Sequence, residues 1–321
     1  MTTKKIASKE HNSCYNLFEV DMIRTAVFAF YDKNAVIDDY IIRYIKELKQ
    51  SCLRVIFVSG VRLSDYEKNK IRRYVNLIID DPHTEYDFGS YKRGFKYIDT
   101  TLTDEIVFVN DSFYGPLFPL APIFDRMSEK DCDFWGMSEN KYGLIKIGEK
   151  YKSVKRPHLQ SYFMVFKKHV INSEAFIDFI NSVHEEPQKN DIIINYEIGL
   201  SEVMKDAGFR YNTYAKESGD NPVVTKWKEL ITRHHFPLIK CSLLRLAQNN
   251  LISMEGWENV IKTVSDYPVE LITKNLERTY EYETETANAH VFSKQLYLET
   301  LPKNLVRLIN DNTVFYNVFE D

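Results

Sequence analysis

The chain has 321 residues, 44% of them hydrophobic and 27% charged, with a formal net charge of -4. That length is enough to bury a large core in one domain with an appendage, and the near-neutral balance excludes the basic excess expected of a nucleic-acid binder. No apolar run approaches the ~20 residues that a bilayer span requires. The polar start, MTTKKIASKEHNS, has no apolar signal-peptide core. Cys14, Cys52, Cys132 and Cys241 are scattered, form no CxxC pair, and read as free thiols of a reducing compartment. A cytoplasmic location is expected.

Residues 1–24 read as a flexible N-terminal tail. TAVFAFY (25–31) is a short β-forming apolar run and predicts a buried strand. IDDYIIRYIKELKQ (37–50) spaces Ile41, Ile42, Ile45 and Leu48 as one helical face. LRVIFVSG (53–60) predicts a second strand, LSDYEKNKIRRYV a polar helix, NLIIDD (76–81) a third strand, YDFGSYKRGFKYI (86–98) a helix and EIVFVND (105–111) a fourth strand. Further strands are expected in CDFWGMSEN (132–140) and SYFMVFKK (161–168), separated by a basic stretch, KIGEKYKSVKRPHLQ, read as a solvated loop. SEAFIDFINSV and NYEIGLSEVMKDAGF predict amphipathic helices, and the pattern from about Lys226 onward is mostly helical.

Strands and helices alternating at this pace predict βαβ units and a mostly parallel central sheet covered on both faces. Right-handed crossovers then set the strand C-terminal ends along one edge, where open α/β sheets bind ligands. Buried strands here end in polar residues: Tyr31 and Asp32, Ser59 and Gly60, Asp80 and Asp81, and Asn110, Asp111 and Ser112. Asp111 suits a divalent cation, Mg²⁺ or Mn²⁺, that substrate phosphates also hold; the same triplet also suits a turn and helix cap. Asp87 is a candidate acceptor for a base or ribose, and Lys92 and Arg93 are candidate phosphate partners. Glu197 is a candidate general base, or a first-turn carboxylate favoured by the helix dipole. His158 and Gln160 precede a strand and are candidates for sugar hydroxyls.

The order of these segments is that of GT-A glycosyltransferases. FAFYDKNAVIDDYIIRYIKEL, IFVSG, YDFGSYKRGF, VFVNDSFYGPLFPL, DCDFWGMSEN, HLQSYFMVFKK, YEIGLSEVMKDAGF and FPLIKCSLLR together resemble the rhamnan synthesis F family of bacterial polysaccharide glycosyltransferases, over residues 25 to 265. The resemblance implies a GT-A-like α/β fold with a catalytic domain over 25–225. Its nucleotide-sugar half would cover 25–116 and its acceptor half 117–225, with a helical C-terminal region over 226–321. It implies an inverting enzyme with Glu197 as base and Asp111 at the leaving diphosphate. Tyr31, Asp32, Ser59, Asp87, Lys92, Arg93, Asn110 and Ser112 would then bind the donor, either dTDP-rhamnose or a UDP-hexose. Trp135, Glu139, His158, Gln160 and Tyr162 would meet the acceptor, a glycan or lipid-linked saccharide, at or near the inner membrane face.

Two departures from that pattern stand out. A DxD motif would place Asp at 110 and 112, where this chain has Asn110 and Ser112, and Glu197 is followed by Ile198 rather than a second carboxylate. The competing readings are a non-catalytic nucleotide-sugar or carbohydrate-binding module, and a phosphatase using Asp32, which lacks the second Asp because Asn34 stands there.

Overall fold

The computed structural model describes residues 22–217, 221–248 and 253–290, with side chains as far as Tyr280 in the last helix. The expected tail up to residue 21, Cys14, and residues 291–321 of the expected C-terminal region lie outside these.

The strands are β1 (Arg24–Phe30), β2 (Arg54–Ser59), β3 (Leu77–Ile79), β4 (Glu105–Asn110), β5 (Phe113–Tyr114), β6 (Phe134–Gly136), β7 (Glu139–Ile147), β8 (Lys150–Leu159), β9 (Phe163–Lys167), β10 (Tyr211–Thr213) and β11 (Ile239–Lys240). The helices are α1 (Asp39–Ser51), α2 (Asp65–Ile71), α3 (Tyr86–Phe95), α4 (Ala121–Ser128), α5 (Lys168–Ile171), α6 (Glu174–Ser182) and α7 (Lys189–Ile192). A π-helical segment (Ile193–Ile198) follows, then α8 (Gly199–Asp206), α9 (Pro222–Thr225), α10 (Trp227–His234), α11 (Cys241–Gln248), α12 (Trp257–Val264) and α13 (Glu270–His290).

Seven strands form one sheet in the order β10-β6-β9-β4-β1-β2-β3. Only β9 runs antiparallel to its neighbours, β4 and β6. The mostly parallel α/β sheet expected from the sequence is therefore present. Its central strands are unbroken apolar runs because both faces are covered. Ala26, Phe28, Val55, Phe57, Val107 and Val109 pack with Tyr40, Ile41, Tyr44 and Leu48 of α1. The alternate residues Val27, Ala29, Ile56, Val58, Ile106 and Phe108 pack with Phe88 and Tyr91 of α3 and Phe176 of α6. Helix α3 lies so close to β1 that a Cβ on Gly94 would stand 2.4 Å from Val27 Cγ1.

The stretch read as a solvated basic loop, residues 146–160, is instead mostly strand. Residues of β7 and β8 pair antiparallel from Glu139↔Leu159 to Ile147↔Lys150, around a turn in which Gly148 has φ +58°. Tyr151 and Val154 favour a strand, and Lys146 is drawn onto Asp191 at 2.9 Å. The expected strand 132–140 is split, with β6 in the main sheet and Glu139 already in the hairpin. The core on the α1 side continues without a break into Leu230, Ile231, Leu243, Leu244, Ile261, Ile272 and Leu276. Strand β11 pairs antiparallel with β5, so the helical region is built onto the sheet through the segment that follows β4.

Candidate functional site

Strands β1, β2 and β4 are parallel, so their C-terminal ends share one edge, and the strand order reverses at β1, between β2 and β4. Open α/β sheets take ligands beyond the strand ends at such a reversal. Asp111, one residue past β4, places its Oδ2 2.8 Å from the Tyr31 backbone N–H past β1. The backbone oxygen of Asp111 accepts from the Tyr40 hydroxyl at 3.4 Å. Buried Asn110 donates from its amide to Asp87 Oδ2 at 2.5 Å, and its own carbonyl oxygen accepts from the Ser112 N–H and hydroxyl. The polar end of β4 thus ties the first turn of α3 to the strand.

One turn on, Tyr91 donates its hydroxyl to the Ser161 carbonyl at 3.0 Å. Ser161 donates its own hydroxyl to Glu197 Oε2 at 2.5 Å. Glu197 sits in the π-helical segment before α8, a wider turn that redirects side chains relative to a regular helix. Its other oxygen, Oε1, lies 3.5 Å from His158 Nε2. His158 Nδ1 lies 2.8 Å from the Arg156 carbonyl, which only accepts, so Nδ1 carries a proton.

The electrostatics divide the three carboxyl groups. Burial raises Asp111 to about 7, helped by the charge of Asp87 and opposed by the Tyr31 N–H and by Arg245. Burial also raises Asp87 to about 6, with Glu197 adding to the rise and the Asn110 amide, Lys189 and Lys240 opposing it. Burial would raise Glu197 too, but His158, Ser161 and Lys240 outweigh it and hold it below the usual carboxylate range. Burial thus lifts Asp87 and Asp111 while hydrogen-bond partners and nearby positive charge hold Glu197 down, so Glu197 is the most acidic of the three carboxyl groups.

The remaining residues singled out in the sequence fall into two groups. Near the cluster are the exposed Tyr31 side chain, the buried His158, and Ser112. Buried Gln160 and Tyr162 meet at the Ser138 hydroxyl, with Gln160 also donating to Asn221 and Tyr162 lying 3.9 Å from the Phe113 ring, centre to centre. Elsewhere, Asp32 caps its own turn and pairs with Arg278 at 2.7 Å, and buried Ser59 bonds the Val61 backbone. Lys92 donates to the carbonyls of Asn181 and Val183, and Arg93 pairs with Glu85. Trp135 packs in the core between Phe124 and Phe163, and Glu139 accepts from the Tyr211 hydroxyl.

Three groups at the site were not singled out in the sequence: Ser161, Lys240 and Arg245. The last two stand in FPLIKCSLLR, whose apolar residues dominate its pattern. A separate concavity of about 670 Å³, lined by Leu244, Trp257, Glu258 and Leu276, shares no residue with this cluster.

The sequence matches the family described as Rhamnan synthesis protein F over residues 55–317. It is 23% identical to the uncharacterized protein y4gN of Sinorhizobium fredii over 295 residues, covering 91% of this chain and 70% of that one. It is 27% identical over 205 residues to the virulence protein VirA of Vibrio anguillarum, covering 61% of this chain and 60% of that one. A solved structure of S. aureus TarS superimposes with a TM-score of 0.37 at 12% identity, covering 89% of this chain and 83% of that one.

Proposed function

The chain belongs to the Rhamnan synthesis protein F family, which supports a glycosyltransferase role, and from that premise we propose that it moves rhamnose or a hexose from a nucleoside-diphosphate donor onto a growing bacterial cell-surface glycan. The donor is dTDP-rhamnose or a UDP-hexose, and the acceptor is a glycan or lipid-linked saccharide met on the cytoplasmic side of the membrane. No described helix is long and apolar enough to cross a membrane.

The observation that carries this reading is the paired state of Glu197 against Asp87 and Asp111. A base must be ionised before the acceptor arrives, and Glu197 is kept so by His158 and Ser161. In the proposed reaction Glu197 takes the proton of the acceptor hydroxyl as that oxygen attacks the anomeric carbon. The bond to the nucleoside diphosphate breaks on the opposite face, which inverts the centre. Asp111 lies on the leaving-group side, at the strand end where phosphates are met in open α/β sheets. The Tyr31 backbone N–H positions Asp111, and the Asn110 amide positions Asp87 on the first turn of α3.

A Mg²⁺ or Mn²⁺ ion fits Asp111 by donor chemistry, since such ions are commonly held by one or two carboxylates and completed by substrate phosphates. Among the described residues no group of three or more His, Cys, Asp or Glu could hold one unaided. Bound there, the ion would supply charge neutralisation to the departing diphosphate.

The test is Glu197→Gln, which keeps the shape and the Ser161 contact but removes the base. Sugar transfer from the donor is expected to fall by about 10²–10⁴-fold with folding intact. Turnover near wild type in the folded variant would show that the base has been misassigned.

A further inference from the structure

We propose that Lys240 is the diphosphate-binding cation of the donor site; the proposal rests on the glycosyltransferase reading above and supplies the positive charge that reading requires. Strand β11 exists only as a partner for β5, and its register sets Lys240 opposite Phe113, two residues after Asp111. The adjoining Cys241 N–H donates to the Ser112 carbonyl at 3.0 Å, and its thiol lies 3.6 Å from the Asp111 backbone oxygen. Lys240 is therefore fixed along the same backbone segment that carries Asn110, Asp111 and Ser112.

Its side chain is half-buried and runs over the Phe113 ring, with Nζ 5.1 Å from the centroid. Among the described residues the ammonium makes no hydrogen bond and no ion pair. The ammonium is reached by solvent and carries three hydrogen-bond donors that no described side chain accepts. Among the charges that it feels, Glu197 and Asp87 of the cluster favour the ammonium and Lys189 opposes it. A ligand bearing several phosphate oxygens at the β4 edge would satisfy these donors directly.

The two cations singled out in the sequence are engaged elsewhere. Lys92 is spent on the carbonyls that end α6 and enter the following loop, and Arg93 is paired with Glu85 on its own helix. A donor diphosphate entering beside Asp87, Asp111 and Glu197 meets negative charge above all at Glu197, and of the cations near these groups, Lys189, Arg245 and Lys240, Lys240 is the one carried on the strand paired with β5.

The experiment is calorimetric titration of the full chain with UDP and with dTDP, each compared with its nucleoside alone, for wild type, Lys240→Met and Lys240→Arg. Wild type is expected to bind one of the two diphosphates. Lys240→Met is expected to weaken that diphosphate at least about tenfold while leaving the nucleoside within about twofold, and Lys240→Arg is expected to recover part of the loss. Diphosphate binding by Lys240→Met within about twofold of wild type would overturn the assignment, as would an equal loss for diphosphate and nucleoside, which marks a deformed pocket. Should Lys240→Met not fold, Lys240→Gln replaces it with the same expectations. If wild type binds neither diphosphate, the glycosyltransferase reading falls together with this one.

Discussion

Replacing Asp111 by Asn tests whether the carboxylate at the end of β4 is held for function against the interest of the fold. In the free protein burial raises Asp111 to about 7, well above the usual carboxylate range, so folding favours its protonated form. A group shifted in that direction contributes stability that is fully present below its unfolded value and is lost as pH rises through the folded one. Set against an ordinary Asp near about 4, this corresponds to a ceiling of about 4 kcal/mol. Asp111 is only half-buried and shares its field with Asp87, and screening by solvent reduces the figure to about 2 kcal/mol. Asn keeps an acceptor for the Tyr31 N–H and does not titrate.

The assay is urea unfolding of the unliganded wild type and Asp111→Asn at about pH 4 and about pH 8, well apart on either side of the transition. Wild type is expected to lose about 2 kcal/mol more than the variant between those conditions, so that Asn becomes the stabilising residue at the higher pH while sugar transfer is lost. Parallel pH profiles for the two proteins would refute the claim that Asp111 is kept protonated by its surroundings.

Two further predictions concern the scaffold that holds the cleft. Gly94→Ala forces a methyl against Val27, where contacts would fall to 2.4 Å, and is expected to cost about 2–3 kcal/mol in unfolding free energy by displacing α3 and the Asp87 that it carries. Arg278→Met removes the guanidinium that bridges Asp32 and Asp38 at 2.7 and 2.6 Å. It leaves two part-buried carboxylates facing each other, and a loss of about 3 kcal/mol is expected in denaturant unfolding.

The central sheet was legible because β1, β2 and β4 are covered on both faces, which leaves uninterrupted apolar runs with polar ends. Those ends indicated the crevice, and Asp87, Asp111, His158 and Glu197 do converge on it. The orientation of Lys92 and Arg93 was legible in principle as well. At 3.6 residues per turn, Ser90, Tyr91 and Gly94 share the face of Asp87, whereas Lys92 and Arg93 lie on the side turned toward α6 and Glu85. The β7–β8 hairpin was not legible, because its lysines mask the alternation. Lys146 acts there as a partner for Asp191 rather than as a solvated charge. Lys240 was hidden for a different reason. It is brought to the site by pairing between β11 and β5, over a hundred residues apart in sequence, and nothing local to FPLIKCSLLR announces that contact.

That long-range pairing bears on how the site keeps its shape. The segments Tyr31–Asp38 and Asn110–Tyr114 at the ends of β1 and β4 are also braced from later in the chain. Asn275 accepts from the Tyr114 hydroxyl at 2.6 Å and donates to Asp38 at 2.5 Å, so one side chain of α13 spans both loops. Arg278, one turn further, holds Asp32 and Asp38 together, and Cys241 anchors the backbone of Asp111 and Ser112. Loops at strand ends are ordinarily the least stable parts of such a fold. Here residues of β11, α11 and α13 brace them, which would hold in place the carboxylates that the proposed reaction uses. The helical region is thus part of the site, through Lys240 and Arg245 as charges and through Asn275 and Arg278 as supports.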